Sequence, residues 1–257
     1  MSFRVLIPAR YASTRLPGKP LRLINGRPML EHVFRHAEAS GASEVIVATD
    51  DARIADCAQG FGGTVVMTDP AHASGSDRCA EVARRLGFKD DDLVVNVQGD
   101  EPLLPARAMA QVARVLAETP SAQMATLATP LGALAEYLDP NIVKVVSDVS
   151  GLALYFSRAP IPWARDASLV AGADRQRFVG ARRHIGLYAY RVGTLKALAG
   201  FVPTPLELLE RLEQLRALEH GFKIAVAEAC VVPGPGVDTE ADLAAVEQHL
   251  RTSATRS

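Results

Sequence analysis

Cysteine, aromatic side chains and long apolar runs are all scarce in this chain of 257 residues. The three cysteines, Cys57, Cys79 and Cys230, are odd in number and far apart. None has the CxxC or Cys/His spacing of a zinc site, and they do not make a disulfide framework. They read as reduced thiols of a cytoplasmic protein. No run approaches the roughly 20 apolar residues that span a bilayer. The apolar start Met1–Pro8 meets charges at once and has no small-residue cleavage site, so it reads as a first strand rather than a signal peptide. Net charge is lacking too: 28 Lys and Arg against 29 Asp and Glu leave −1, so neither nucleic acid nor a membrane is an expected partner. The common glycine-rich nucleotide loops are also missing. No Rossmann fingerprint occurs, which argues against a nicotinamide dehydrogenase. The Walker pattern fails because Ser13 stands where its first glycine belongs and Pro20 follows Lys19.

What is present is an alternation. Apolar runs at Phe3–Pro8, Glu44–Thr49, Thr64–Met67 and Leu93–Val97 read as strands. Between and after them, Pro28–Ser40, Ala52–Phe61, Gly75–Leu86 and Pro105–Glu118 carry helical periodicity. Such alternation predicts βαβ units and a mostly parallel sheet with helices on both faces. The loops after Pro8, Thr49 and Val97 then share the rim where α/β sheets bind ligands. The rhythm changes beyond about residue 130. Val143–Ser147, Leu152–Ser157, His184–Arg191 and Lys223–Ala227 read as strands, and Thr204–Gly221 and Thr239–Leu250 as helices. Ser157–Gly180, rich in Arg, Asp and Pro, reads as an excursion. A single domain over 1–257 is expected, with no linker that forces two.

Three segments carry chemistry. Ala9–Pro20 follows a buried strand and holds Arg10, Arg15 and Lys19 with two hydroxyls and Gly18. Backbone N–H groups backed by Arg and Lys suit a polyphosphate, although a solvated polar loop has the same composition. Asn96–Pro102 ends an apolar strand in Gln98, Gly99, Asp100 and Glu101. A carboxylate there can hold Mg²⁺ against substrate phosphates, or it can simply form a turn. In Pro233–Thr239, Asp238 reads on its own as the N-cap of the last helix. It becomes a metal ligand only if the fold brings it to Asp100.

In these segments and beyond them the chain closely resembles the 3-deoxy-manno-octulosonate (Kdo) cytidylyltransferases. The resemblance is carried by IPARYASTRLPGKPL at Ile7–Leu21, VNVQGDEP at Val95–Pro102, ALYFSRAPIPW at Ala153–Trp163, and Gly236-Val237-Asp238-Thr239. It continues through His184–Tyr188, Pro205–Glu207 and Glu213–Arg216, in family order over nearly the whole chain. Where the family more often has Thr-Glu, this chain has Ser76-Asp77, which keeps the functional groups; residues 164–178 match poorly.

The resemblance implies a glycosyltransferase-A-like nucleotidyltransferase fold, in which residues 1–130 mainly bind CTP and 131–250 bind the sugar and dimerise. It implies transfer of CMP from CTP to Kdo for lipopolysaccharide synthesis, Mg²⁺ as cofactor and a homodimer. Arg10, Ser13, Arg15 and Lys19 would line the CTP phosphates, and Ser74, Arg78 and Gln98 would help bind the nucleotide. Asp100 and Asp238 would hold Mg²⁺. Lys19, Arg15 and Asp100 would carry the catalytic step. Arg158, His184, Tyr188, Glu210 and Gln214 would form the sugar-acid site.

The residue types suit these roles. Arg158 has the fork for a carboxylate, although a surface ion pair would look the same. His184 and Tyr188, four apart in a strand, share a face. Glu210 and Gln214, four apart in a predicted helix, do likewise. Glu207 and Glu213 compete for the same role, and the leucines of Leu206–Leu218 read as a core stripe. Two other readings stay open: a cytidylyltransferase for another sugar acid, such as a sialic acid or 8-amino-Kdo, and a catalytically silent nucleotide-binding regulator.

Overall fold

Strand β1 (Arg4–Ala9) is buried over its last five residues and runs between β4 (Glu44–Thr49) and β6 (Leu93–Asn96), parallel to both. A near-continuous apolar run is what a parallel strand covered on both faces requires. The computed structural model describes residues 1–12, 15–163, 165 and 180–254. Among them a nine-stranded sheet follows the path β11 (Ile224–Glu228), β7 (Met124–Pro130), β10 (Arg182–Arg191), β6, β1, β4, β5 (Thr64–Met67). Along this path only β10 runs against its neighbours. Strands β8 (Lys144–Ser147) and β9 (Ala153–Ser157) branch off β10, antiparallel. The expected mixed, mostly parallel sheet is therefore present, and one sheet takes strands from both halves of the chain.

The period-two alternation of β1 sorts its side chains into two cores. Val5, Ile7 and Ala9 pack with α1 (Met29–Glu38) and α4 (Ala106–Glu118) on one face. Leu6 faces the other way, toward α3 (Gly75–Arg85) and α6 (Val192–Leu198). Helix α2 (Ala52–Gly60) begins at Asp51, whose carboxylate accepts the Arg53 N–H. The short α5 (Leu134–Leu138) caps a small cluster around the buried Tyr137.

A third apolar cluster lies outside the sheet and decides where the loops go. Leu16 of the basic loop, Leu103 behind Asp100 and Val237 before Asp238 pack together. Ile24 of the hairpin β2 (Leu23–Ile24)–β3 (Arg27–Pro28) and Leu243 and Val246 of α9 (Glu240–Ala254) complete it. The Val237 N–H donates to the Asp100 carbonyl at 2.9 Å. Gly234 makes this approach possible, since a Cβ there would stand 2.6 Å from the Leu103 side chain.

The second half departs from the sequence reading at several points. Strand β7 and helices α5 and α6 were not foreseen. The helix expected over Thr204–Gly221 is two, α7 (Pro205–Glu210) and α8 (Gln214–Glu219). Arg211 between them is left-handed, at φ 55°. The two N–H groups of buried Arg216 that reach the Glu207 carboxylate, at 2.5 and 2.8 Å, hold the corner closed. The Leu206–Leu218 stripe is split accordingly: Leu212 and Leu215 are buried, whereas Leu208 and Leu209 point outward. A continuous leucine period conceals such a corner. Among the described residues no helix is long and apolar enough to cross a membrane.

The packing yields a stability prediction. Leu6 is fully buried between sheet and helices, so Leu6→Ala should cost about 2–5 kcal/mol. The fully exposed Val149→Ala should stay within about 0.5 kcal/mol. Urea midpoints of the two variants check the contrast.

Candidate active site

The loops after β1 and β6 and the start of α3 border one polar cleft of about 760 Å³. Arg10, Arg15 and Lys19 line it from the first loop, and Gln98 and Asp100 from the second. Ser74 and Arg78 line it from α3, and Asp238 from the stretch before α9. Ser13 lies outside the described residues, as does most of 164–178.

Lys19 is the centre of the cleft. It follows Gly18, whose left-handed backbone (φ 64°) turns the loop against the Tyr11 ring. Its Nζ donates to Asp100 Oδ2 at 2.7 Å and to Asp238 Oδ1 at 2.9 Å. Arg15 adds a guanidinium nitrogen 3.0 Å from the same Asp238 oxygen. Burial of the Lys19 amine opposes its charge, but the bonds to Asp100 and Asp238 outweigh it and raise its pKa above the usual lysine value. Glu101 beside them is pushed up to about 7 by burial and by the charges of Asp100 and Asp238. It is therefore only partly ionised near neutral pH.

Asp238 is available because it does not cap α9. The Thr239 hydroxyl accepts the Asp242 N–H at 3.2 Å, and Asp242 Oδ2 accepts the Thr239 N–H at 2.8 Å. That is a capping box, and the T-x-x-D pattern carries it in the sequence. The cap reading of Asp238 is thus corrected by one residue. Ser74 caps α3 in the same way, with Asp77 as its partner, and sets that helix N-terminus at the cleft. Arg78 is almost wholly buried, 3.3 Å from Asp50 and hydrogen-bonded to the Thr68 hydroxyl.

The cleft continues inward. Gln98 and Glu213 border both it and a cavity of about 90 Å³. Tyr188 and Gln214 border that cavity and a further one of about 300 Å³, which His184 and Arg183 also line. Tyr188 Oη and Gln214 Nε2 are buried with no hydrogen-bond partner among the described residues. Buried polar atoms left unsatisfied in residues that line these cavities are candidates for a polar ligand's contacts. Burial raises the Glu213 pKa, against the pull of its bond from Ser76.

His184 and Tyr188 do share a face, with ring centroids 5.3 Å apart. A bulge in β10, where the pairing with β7 jumps from Ile185 to Tyr188, brings the two rings next to each other. The carbonyls of Ile185 and Leu187 are both met by the Thr126 hydroxyl, at 3.0 and 2.8 Å. Thr126 Oγ1 has one proton to give, so its 3.0 Å contact with His184 Nε2 is best satisfied by a His184 N–H donating to it. Nδ1 is then left as an acceptor. Burial pushes the His184 pKa down to about 3.

Arg158 and Glu210 are not brought to this cavity lining. Arg158 Nε donates to the Glu210 carbonyl at 2.7 Å and a terminal nitrogen donates to the Pro140 carbonyl at 2.9 Å. The Glu210 carboxylate accepts from the Ser157 hydroxyl at 2.6 Å and the Arg158 N–H at 2.9 Å. Because α7 ends at Glu210 and α8 starts at Gln214, the two do not share a helix face, which corrects that expectation. Of the competing acids, Glu207 is engaged by Arg216 and Glu213 faces the cleft. His72 and Arg183 also line the cavities without having been singled out. His72 stands two residues before the Ser74 cap, a position at the rim that the helix start could have flagged.

A family model described as cytidylyltransferase matches residues 4–224. The chain belongs to the 3-deoxy-manno-octulosonate cytidylyltransferase family. A relative of that name from Thioalkalivibrio sulfidiphilus is 58% identical over 98% of this chain and 100% of its own. Another, from Pseudomonas fluorescens, is 54% identical over 97% of this chain and 98% of its own. Among solved structures, CMP:2-keto-3-deoxy-manno-octonic acid synthetase complexed with CTP superposes with a TM-score of 0.88 at 39% identity, covering 98% of this chain and 100% of that one. This cytidylyltransferase thus carries, in one cleft, the basic loop and both aspartates that the family resemblance singles out.

The histidine geometry is testable. A base whose folded pKa lies below its unfolded value adds stability above the unfolded pKa, near 6.5, and loses it as pH falls toward 3. The His184 ring resonances should therefore show no inflection between about pH 5 and 8 in an NMR titration. Thr126→Val, which leaves two carbonyls and the ring unmet, should destabilise the fold by about 1–3 kcal/mol.

Proposed function

We propose that the protein transfers CMP from CTP to the anomeric hydroxyl of Kdo, releasing pyrophosphate. The observation that carries this is the convergence of Lys19, Asp100 and Asp238 in a cleft that opens inward to the orphaned Tyr188 and Gln214 groups. The CTP-complexed neighbour and the named relatives supply the nucleotide and the sugar acid.

In this reading Arg10, Arg15 and Lys19 hold the triphosphate, with Ser13 in the same loop. Ser74, Arg78 and Gln98 bind the rest of the nucleotide. His184, Tyr188 and Gln214 receive the sugar, while Arg158 and Glu210 are engaged with each other and with the neighbouring backbone. The anomeric oxygen attacks the α-phosphorus in line, its proton passes to solvent, and the bond to the bridging oxygen of pyrophosphate breaks. Positioning and charge neutralisation supply most of the acceleration. Arg15 and Lys19 meet the charge that grows on the departing pyrophosphate.

The donor set suits Mg²⁺ as cofactor. Two carboxylate oxygens from distant segments meet at the Lys19 ammonium, and the Asp238 oxygen also meets the Arg15 guanidinium. Mg²⁺ prefers oxygen ligands and takes few from protein when phosphates provide the rest. Bound there, it would neutralise phosphate charge and make the sugar hydroxyl more acidic. The product would feed lipopolysaccharide assembly, in a cytoplasmic setting. The enzyme would act as a homodimer, and outward Leu154, Leu208 and Leu209 are apolar surface a second copy could cover.

A coupled assay for pyrophosphate tests the reading across Kdo, 8-amino-Kdo and sialic acid. Turnover should be fastest with Kdo and require Mg²⁺; no turnover with Kdo would sink it. Lys19→Met should lower kcat by about 10²–10³-fold. Asp100→Ala should abolish measurable turnover, whereas a silent regulator would show none to abolish.

A further inference from the structure

Lys19 stands in an unusual place for a residue that is to bind phosphate. Its Nζ sits between the two carboxylates, 2.7 Å from Asp100 and 2.9 Å from Asp238. A Mg²⁺ ion shared by those oxygens would lie about 2.0–2.1 Å from each. That position falls in the space the ammonium now fills, and two cations cannot stand so close in a half-buried site. The lysine is also fixed at its base. The Lys19 N–H donates to the Leu16 carbonyl at 3.2 Å and its carbonyl accepts the Arg22 N–H at 3.1 Å. Leu16 is fully buried in the cluster with Leu103 and Val237. Only the side chain is free to leave.

We infer that in the nucleotide-free enzyme Lys19 is the resident cation of the Asp100–Asp238 pair, and that it and a divalent metal exclude each other there. The inference rests on the metal-site reading above and adds an order to it. Free metal binds poorly, because it must displace two charge-assisted hydrogen bonds and leave the ammonium without a partner. The triphosphate supplies that partner. Its oxygens draw the ammonium off the aspartates and at the same time complete the metal's ligand shell. Nucleotide and metal therefore enter together, and the carboxylates are never left facing each other unpaired. The ligand shifts the side chain through its differential interaction with the two positions.

The test measures Mn²⁺ binding to nucleotide-free protein by the electron paramagnetic resonance signal of the free ion. Wild type and Lys19→Arg should bind weakly. Lys19→Met, which keeps the stem and drops the charge, should bind about tenfold to a hundredfold tighter, the factor that one or two hydrogen bonds to charged groups carry. Adding Asp238→Asn to Lys19→Met should remove the gain. An affinity in Lys19→Met equal to or weaker than wild type overturns the inference. A wild-type measurement guards against a misfolded variant. Millimolar Mn²⁺ alone should raise the rate at which acetic anhydride labels Lys19, read by mass spectrometry. Unchanged labelling counts against the inference. If wild type with CTP holds Mn²⁺ through Asp100 while Lys19→Met gains nothing, only the exclusion is wrong. If neither binds, the metal-site reading falls as well.

Discussion

One ammonium between two carboxylates organises this molecule. Lys19 is 81 positions from Asp100 and 219 from Asp238, and all three must converge to within hydrogen-bond distance. The charges cannot assemble themselves, because bringing them out of water costs more than an imperfect pairing returns. The work is done by the apolar residues beside them. Leu16, Leu103 and Val237 are each within a few positions of one member of the charged set, and their packing holds the loops that carry it. Helix α9 closes the cluster with Leu243 and Val246, and the two short bonds from Arg22 to Glu240 tie its start to the basic loop. A terminal helix that might have been an appendage is thereby part of the site.

The inner cavities depend on a different device. A two-residue bulge in β10 would strand two carbonyls in a buried sheet, a cost the fold avoids with one hydroxyl, that of Thr126. The same hydroxyl orients His184, so the backbone irregularity and the placement of the ring have one cause. Behind them the fully buried Lys144 gives its ammonium to the carbonyls of Asp139, Ile142 and Arg158. That knot, with the Ser157–Glu210 contact, holds Arg158 away from the cavity lining. At these cavities Tyr188 and Gln214 keep unused hydrogen-bonding capacity.

Much of this was legible in the sequence. The apolar runs of β1, β4 and β6 and the periodicity of α1, α3 and α4 are strong local signals, and of the three loops they set on one rim, those after β1 and β6 line the cleft. The basic loop and Asp100 stood out because their chemistry is concentrated. Other features were legible but overlooked: Thr239-x-x-Asp242 states the cap of α9, and that cap frees Asp238. What the sequence could not show depends on contacts between distant residues. A leucine repeat continues across Arg211, and only the Arg216–Glu207 pair reveals the corner. Likewise, nothing local distinguishes an Arg158 that binds carbonyls from one that reaches a ligand, or tells that Lys19 reaches back to two aspartates.

Transfer of CMP to Kdo turns on nucleophilic attack at the α-phosphorus of CTP. Phosphorus NMR of a mixture of the protein, Mg²⁺, CTP and Kdo measures that directly. The expected result is a new phosphodiester resonance with free pyrophosphate, in equal amounts and only when Kdo is present. Release of inorganic phosphate with CDP, or no change in the nucleotide resonances, would contradict it.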